Sequence, residues 1–414
     1  MRRSERPLRW LPALLAAALL AGCASTVPGT PGPARDLAKL DVGGWDTTPL
    51  PVPATSNVSY GRILESVRMA EAVIGPAELD PVLEYPVTAL VPTPLATVGI
   101  IADVARPILA EYGMVAGYSM TGADTLGELS TINRKSSLVR VTVIGFPDAA
   151  AADSAAQRIE EADFAAGAGN EAVEIPGFAA AHSHWRPDVP TLGVYAAHGS
   201  FLIALYIRLP EPDLTALTTL AAAALTAQQP KLDGFTPTPL GRLAELPLDA
   251  DDMLRRMVPM RTGQWSYPSL SRRENLIDEV SVAIGMRMSG GITLGPGGIA
   301  HELRGNKNQR GIERRAVIGN EVLYRFADAS AARGFFTILR NSTGDAAGDA
   351  PATANTGPAG VPDAFCYTDD ASGITPFETC FVLDGRYVAT IVGPDRAFAH
   401  QRTAAEYALL VNTR

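Results

Sequence analysis

The chain has 414 residues, a net charge of −9 and 47% apolar residues, enough for a packed protein and too apolar for a disordered one. The first 22 residues carry four Arg and one Glu, so removing them takes the charge to −12. That excess of acid argues against nucleic acid as a partner and against docking on an anionic membrane surface.

The N-terminus reads as a secretory leader. Arg2, Arg3, Arg6 and Arg9 make it basic, and residues 10–21 are an apolar run too short to cross a bilayer as a helix. Leu20-Ala21-Gly22-Cys23 resembles the bacterial lipobox, in which the cysteine thiol is acylated and becomes the new N-terminus. Cys23 is therefore expected to be the lipid attachment site, with 1–22 the signal peptide. Each buried CH₂ of the acyl chains would contribute roughly 0.8 kcal/mol to anchoring. Residues 23–44 then carry the anchor and a tether rich in Pro, Gly, Ser and Thr. This places the folded part on the outer face of the plasma membrane, towards the periplasm or cell wall.

After the tether about 375 residues remain, which by length suggests two or three domains. An internal repeat organises them. "FPDAAAA" (146–152) matches "FADASAA" (326–332) at five of seven positions. Each copy follows a β-type run, "LVRVTVIG" or "NEVLYR", and opens a helix with Asp148 or Asp328 as N-cap. Further on, "VYAAHGSFLIALYI" (194–207) aligns with "FVLDGRYVATIV" (381–392). Both read as strand, tight turn and strand, with Gly199 and Gly385 in the turns, followed by Pro, Asp and a helix. The fold class expected is α+β: two tandem homologous units, 45–235 and 245–414, each an antiparallel sheet with helices packed on one face. Residues 341–361, small, polar and rich in Gly and Pro, read as a mobile insertion in the second unit. The apolar stretch 94–114 reads as a pair of buried helices interrupted at Pro107, or, less simply, as one wall of a lipid cavity.

Cys366 and Cys380 form the remaining pair. Export makes a disulfide their default state. The rival readings are free thiols or a metal site, and the sequence offers no further ligand beside them. His182 and His184, at i and i+2 of a strand, could face one metal with His198 as a third ligand. No acid sits beside them, and the second unit keeps neither position, so no metal is assigned. The basic run Arg304, Lys307, Arg310, Arg314 and Arg315 reads as a solvated surface or, alternatively, a seat for an anionic polymer. The glycine-rich "GGITLGPGGIAHE" from Gly290 lacks a phosphate-loop lysine and reads as a turn between strands. No hydrolase, metalloprotease or nucleotide-binding motif is found, so no catalytic residue and no cofactor is assigned.

With the lipobox, the stretches "LDVGGWDTTP" (40–49), "GRILESVRMAEAVIGPAELDP" (61–81), "VYAAHG" and "VLYRFADASAA" resemble a family of uncharacterised lipoproteins from mycobacteria, nocardiae and related actinobacteria. That family is defined as a domain of unknown function with a separate C-terminal part. The resemblance implies a secreted, lipid-anchored, two-part protein with no activity assigned. A more distant similarity is to extracellular sensor modules of actinobacterial kinases, which also use α+β units with disulfides. The function expected is non-catalytic: binding of an envelope ligand or protein partner, in a groove between the two units. The alternatives are a lipid carrier, which needs an apolar cavity well above the usual pocket range, and a surface enzyme with an unfamiliar site.

Overall fold

A computed structural model describes residues 36–125, 135–272, 286–303, 311–342, 353–369 and 377–414. Cys23, the leader and most of the tether lie outside the described residues. So do Lys307, Arg304 and Arg310 of the basic run and the middle of the 341–361 segment.

Two seven-stranded antiparallel sheets dominate. The first comprises β1 (Tyr85–Val91), β2 (Ala116–Ala123), β3 (Leu138–Gly145), β4 (Glu171–Ala172), β5 (His182–Trp185), β6 (Thr191–His198) and β7 (Phe201–Arg208), in the order β1-β2-β3-β7-β6-β5-β4. A two-stranded ribbon, β8 (Leu270–Arg272) with β9 (Met286–Met288), follows. The second sheet comprises β10 (Ile292–Leu294), β11 (Ile312–Ile318), β12 (Glu321–Phe326), β13 (Thr353–Thr356), β14 (Ala364–Asp369), β15 (Phe377–Asp384) and β16 (Tyr387–Gly393). Its order, β10-β11-β12-β16-β15-β14-β13, is the first order repeated strand for strand. The helices are α1 (Val58–Met69), α2 (Ala105–Glu111), α3 (Ala149–Ala166), α4 (Leu214–Asp233), α5 (Pro296–Glu302), α6 (Ala329–Ser342) and α7 (Arg396–Asn412). The tandem α+β units read from the repeat are thus present.

Local chemistry repeats with the topology. Asp148 accepts from the Ala151 N–H and Asp328 from the Ala331 N–H, each at 2.8 Å, so α3 and α6 start alike. Asp213 and Asp395 cap α4 and α7 in the same way, at 2.9 Å. Each such cap stabilises its helix by about 1 kcal/mol. Gly199 and Gly385 take positive φ, +54° and +56°, in the two hairpin turns. The residue before each glycine is tied to the end of the next helix: His198 Nε2 lies 2.7 Å from Asp233 Oδ1, and the Arg414 guanidinium donates to Asp384 at 2.9 Å. The link persists while acid and base have changed sides.

Helices do not stay on one face. On β6 and β7, Val194, Ala196, Ile203 and Leu205 pack with Leu217, Ala221, Ala224 and Leu225 of α4. Tyr195, Leu202 and Ala204, on the other side, pack with Ala152, Ala155, Ala156 and Ile159 of α3. In the second sheet Phe381, Leu383 and Val388 meet α6, while Cys366 and Cys380 meet Ala399 of α7 on the opposite side. The strands are apolar on both sides, so both faces need cover. The expectation of one-sided helices is corrected accordingly.

Three other stretches differ from their sequence reading. Residues 94–114 form a 3-10 turn (Pro94–Thr97), a loop and the short α2, with Pro107 inside the first turn, where a missing N–H breaks no helical bond. The glycine-rich stretch forms β10 and α5, not a turn between strands. A Cβ on Gly290 would fall 2.0 Å from Tyr267 O, and one on Gly291 2.2 Å from Ser266 O, so those glycines serve close backbone approach. Within 341–361, residues 353–356 are strand β13, the counterpart of β4, so the insertion is shorter than its composition indicates.

Leu40–Arg414 forms one compact unit. Ile292, Leu294 and Ile299 share a core with Met69, Ala70, Val73, Tyr118 and Met120. Glu71 accepts from the Gly297 N–H at 2.9 Å, and the Tyr118 and His301 rings lie 5.7 Å apart. This part of the seam between the repeats, where a ligand groove was expected, is packed core. Residues 45–47 are strapped to helix α7. Trp45 packs edge-on against Phe398 and lies under the Arg402 guanidinium, 4.3 Å away, and Asn412 donates to Thr47 O at 2.7 Å.

Beneath Trp45, Arg402 is bidentate to Glu321, and Glu406 accepts from the Val258 N–H at 2.8 Å. Two buried acids share one base. Burial, and then the charge of Glu321, push the Glu406 carboxyl up to about 8. Between its ordinary 4.5 and about 8 the folded state holds a proton that the unfolded state has released, so stability falls as pH rises through that window. Glu406→Gln is expected to match wild type near pH 5 and to exceed it on the order of 2 kcal/mol above pH 8. Urea midpoints of both proteins across pH check this; parallel curves would contradict it.

The disulfide joins Cys366 of β14 to Cys380 of β15, directly opposite residues with Cα atoms 4.0 Å apart. The same sheet position in the first repeat holds Ser183 opposite Val194. Cys366→Ser with Cys380→Val, which installs that pair, should cost about 3 kcal/mol in denaturant unfolding.

Candidate functional site

The two faces of the first sheet differ in character. On the α4 side, β3 presents Val139, Val141 and Val143 and β7 presents Ile203, Leu205 and Ile207, all buried. Alternation puts Arg140 and Thr142 of β3 and Tyr206 and Arg208 of β7 on the α3 side. The register sets Arg140 opposite both Thr121 and Tyr206, and Tyr206 opposite Gly193. α3 covers only part of this side. Beside it lies a cavity of about 370 Å³, walled by loop residues 99–102, the sheet residues Arg140, Thr142, Thr191, Gly193, Tyr195 and Tyr206, His184 of β5 and Asp163 of α3.

Its polar groups are held in place. Arg140 Nε donates to Thr121 Oγ1 at 3.0 Å, and its Nη1 donates to the carbonyls of Gly99 and Ile100, both at 2.9 Å. The guanidinium thus pins the loop to the sheet, with the Tyr206 ring 5.9 Å away. Tyr195 donates to Asp163 Oδ2 at 3.1 Å. Burial first, then the charge of Asp163, raise the Tyr195 hydroxyl well above its ordinary range, so it keeps its proton. His184 Nδ1 lies 2.8 Å from Glu160 Oε1, and the ring stands edge-on to Phe164 at 5.7 Å. Burial raises the Glu160 carboxyl and the bond to His184 opposes that rise. Burial, with a contribution from nearby Arg208, lowers Arg140.

The histidines do not assemble as one metal set. His184 is engaged with Glu160, and His198 with Asp233 at the hairpin turn. Among the described residues one group could hold a metal: Cys366, Glu378, Cys380 and His400, with ligand atoms within 4.8 Å of one another. The sequence reading passed over Glu378, two residues before Cys380, and the fold adds His400 from α7. While the disulfide is intact only those two donors remain. Arg314 and Arg315 of the basic run are paired with Asp251 and Glu302, at 2.8 and 2.6 Å. Arg140, Asp163, Glu160 and Tyr195 were not singled out from sequence. Arg140 has a signal in the alternation of "LVRVTVIG", which puts a charged and a hydroxyl residue on one side of a strand.

With this geometry in view, the chain can be set beside known proteins. Residues 52–248 match the N-terminal domain of unknown function DUF7373, and residues 300–413 its C-terminal domain. The chain belongs to that family. No curated protein matches it. Among solved structures, the extracellular domain of PknH from Mycobacterium tuberculosis is similar at 11% identity with a TM-score of 0.27, over 38% of this chain and 93% of that one.

His184→Ala leaves the buried Glu160 carboxyl without its partner and is expected to cost about 1–3 kcal/mol in urea unfolding. Adding Glu160→Gln should recover part of that loss. Strictly additive losses would show that the pair is not coupled.

Proposed function

We propose that this protein is an exported lipoprotein, anchored through Cys23 to the outer face of the plasma membrane and facing the periplasm or cell wall. Its folded part binds a small envelope ligand in the cavity on the α3 side of the first sheet. The cavity carries this reading: about 370 Å³ lies within the usual range for small-molecule sites, and Arg140, Tyr195 and His184 around it are fixed by hydrogen bonds. Tyr195 and His184 are each held by a carboxylate, Asp163 and Glu160. A second cavity, about 330 Å³ beside Phe146, Phe201 and Pro239, is likewise far below what a lipid carrier needs.

The anchor is supported by the leader and by Leu20-Ala21-Gly22-Cys23. The disulfide fits an oxidising compartment. Among the described residues no helix is long and apolar enough to cross a membrane. The lipoprotein character and actinobacterial range implied by the sequence resemblance belong to this proposal. Cys23→Ala is expected to yield unprocessed or released protein without acyl label. Unchanged membrane retention and labelling of the variant would overturn the anchor.

A further inference from the structure

The cavity contains a charge that the fold does not neutralise. Arg140 hydrogen-bonds only to neutral acceptors, the Thr121 hydroxyl and the carbonyls of Gly99 and Ile100. No carboxylate among the described residues pairs with it. Arg208, of like sign, lies on the same side of β7 and acts against the Arg140 charge. Arg140 is half-buried, and a guanidinium partly withdrawn from water and without a carboxylate is stabilised by an anion placed against it. Here Nε and Nη1 are committed to the protein, and the side chain lines open volume.

The opposite wall has the reverse character. Asp163 lines it as an acceptor, already held by the Tyr195 hydroxyl. Thr191 adds a hydroxyl-bearing side chain to the lining, while the Thr142 hydroxyl is taken up by Ser119 Oγ at 2.8 Å. One cation and one anion in the same small space discriminate by charge: a dianion such as phosphate meets Asp163, and a neutral molecule leaves Arg140 unpaired. The cavity also has no helix N-terminus or cluster of backbone N–H groups of the kind that cradles phosphate.

We propose that the cavity takes a small organic monocarboxylate bearing hydroxyl or amino groups, its carboxylate on Arg140 and its donors towards Asp163. This rests on the ligand-binding reading above and names the chemistry of the ligand. Charge-assisted pairing with guanidinium supplies the affinity, and Thr191 and Asp163 supply the choice among acids.

The test is calorimetric titration of the full chain, purified in detergent, with lactate, gluconate and alanine, and with lactamide, glycerol and inorganic phosphate as counterparts. At least one acid should bind, and bind about tenfold or more tighter than its neutral counterpart and than phosphate. Arg140→Met should abolish the preference. Because Arg140 also holds the loop, Gly193→Leu provides an independent variant. A Cβ there meets nothing within 4 Å, so the leucine fills the cavity without touching the guanidinium's bonds. It should abolish binding with the melting temperature preserved. If neutral compounds or phosphate bind as well as the acids and Gly193→Leu abolishes them all, the cavity is a ligand site but the carboxylate assignment is wrong. If Gly193→Leu leaves binding intact, the cavity itself is wrong. No response to any of the acids at millimolar concentration also overturns the proposal.

Discussion

The antiparallel register of β3, β7 and β6 is the constraint on which the rest depends. It sends every second side chain to the same side, so the sequence of three strands decides the character of two faces. One face receives Val139, Val141, Val143, Ile203, Leu205 and Ile207 and has to be sealed, which α4 does with Leu217, Ala221, Ala224 and Leu225. The other receives alanine and leucine at the end near α3, and Arg140, Thr142, Tyr206 and Arg208 further along. A helix can cover the first part and has little to bury on the second. The loop 99–102, held down by Arg140, roofs the remainder and leaves the cavity.

The second repeat shows what the same architecture does without that polar stripe. Its corresponding face is filled by Phe326, Phe335, Phe336, Phe365 and Phe381, with the last two rings 4.8 Å apart. Phe381 stands where the first repeat has Tyr195, and Phe365 where it has His182, since the pairs His182–Tyr195 and Phe365–Phe381 occupy the same rung of the two sheets. One rung along, Ser183 and Val194 become the disulfide. The division of labour is physical. The second repeat has aromatic packing, a cross-strand bond and the buried Arg402–Glu321–Glu406 group; the first keeps open volume and fixed polar groups.

Much of the fold was legible in the sequence because the repeat preserves short-range chemistry. Asp148 and Asp328 cap helices, and Gly199 and Gly385 turn hairpins, for reasons confined to a few neighbouring residues. The sidedness of the helices was less legible. Runs such as "FLIALYI" announce burial on both faces, but which helix covers which face depends on residues far apart in sequence. The site was least legible. Arg140, Asp163, His184 and Tyr195 come from four elements, and only the sheet order brings them to one cavity. The packing of one part of the seam was hidden for a related reason: α5 reads as glycine-rich loop, yet Ile299 and its neighbours pack against β1 and residues 70–72.

If the cavity is the working part of the molecule, its roof must respond to what enters it, because the residue that meets the ligand also holds the loop. Hydrogen exchange of the full chain with and without a saturating organic carboxylate reads this directly. Slowed exchange is expected to be confined to residues 99–102 and the facing strands β3, β6 and β7, with the second repeat unchanged. Slowed exchange at the seam around α5 and residues 70–72, with 99–102 unaffected, would contradict it.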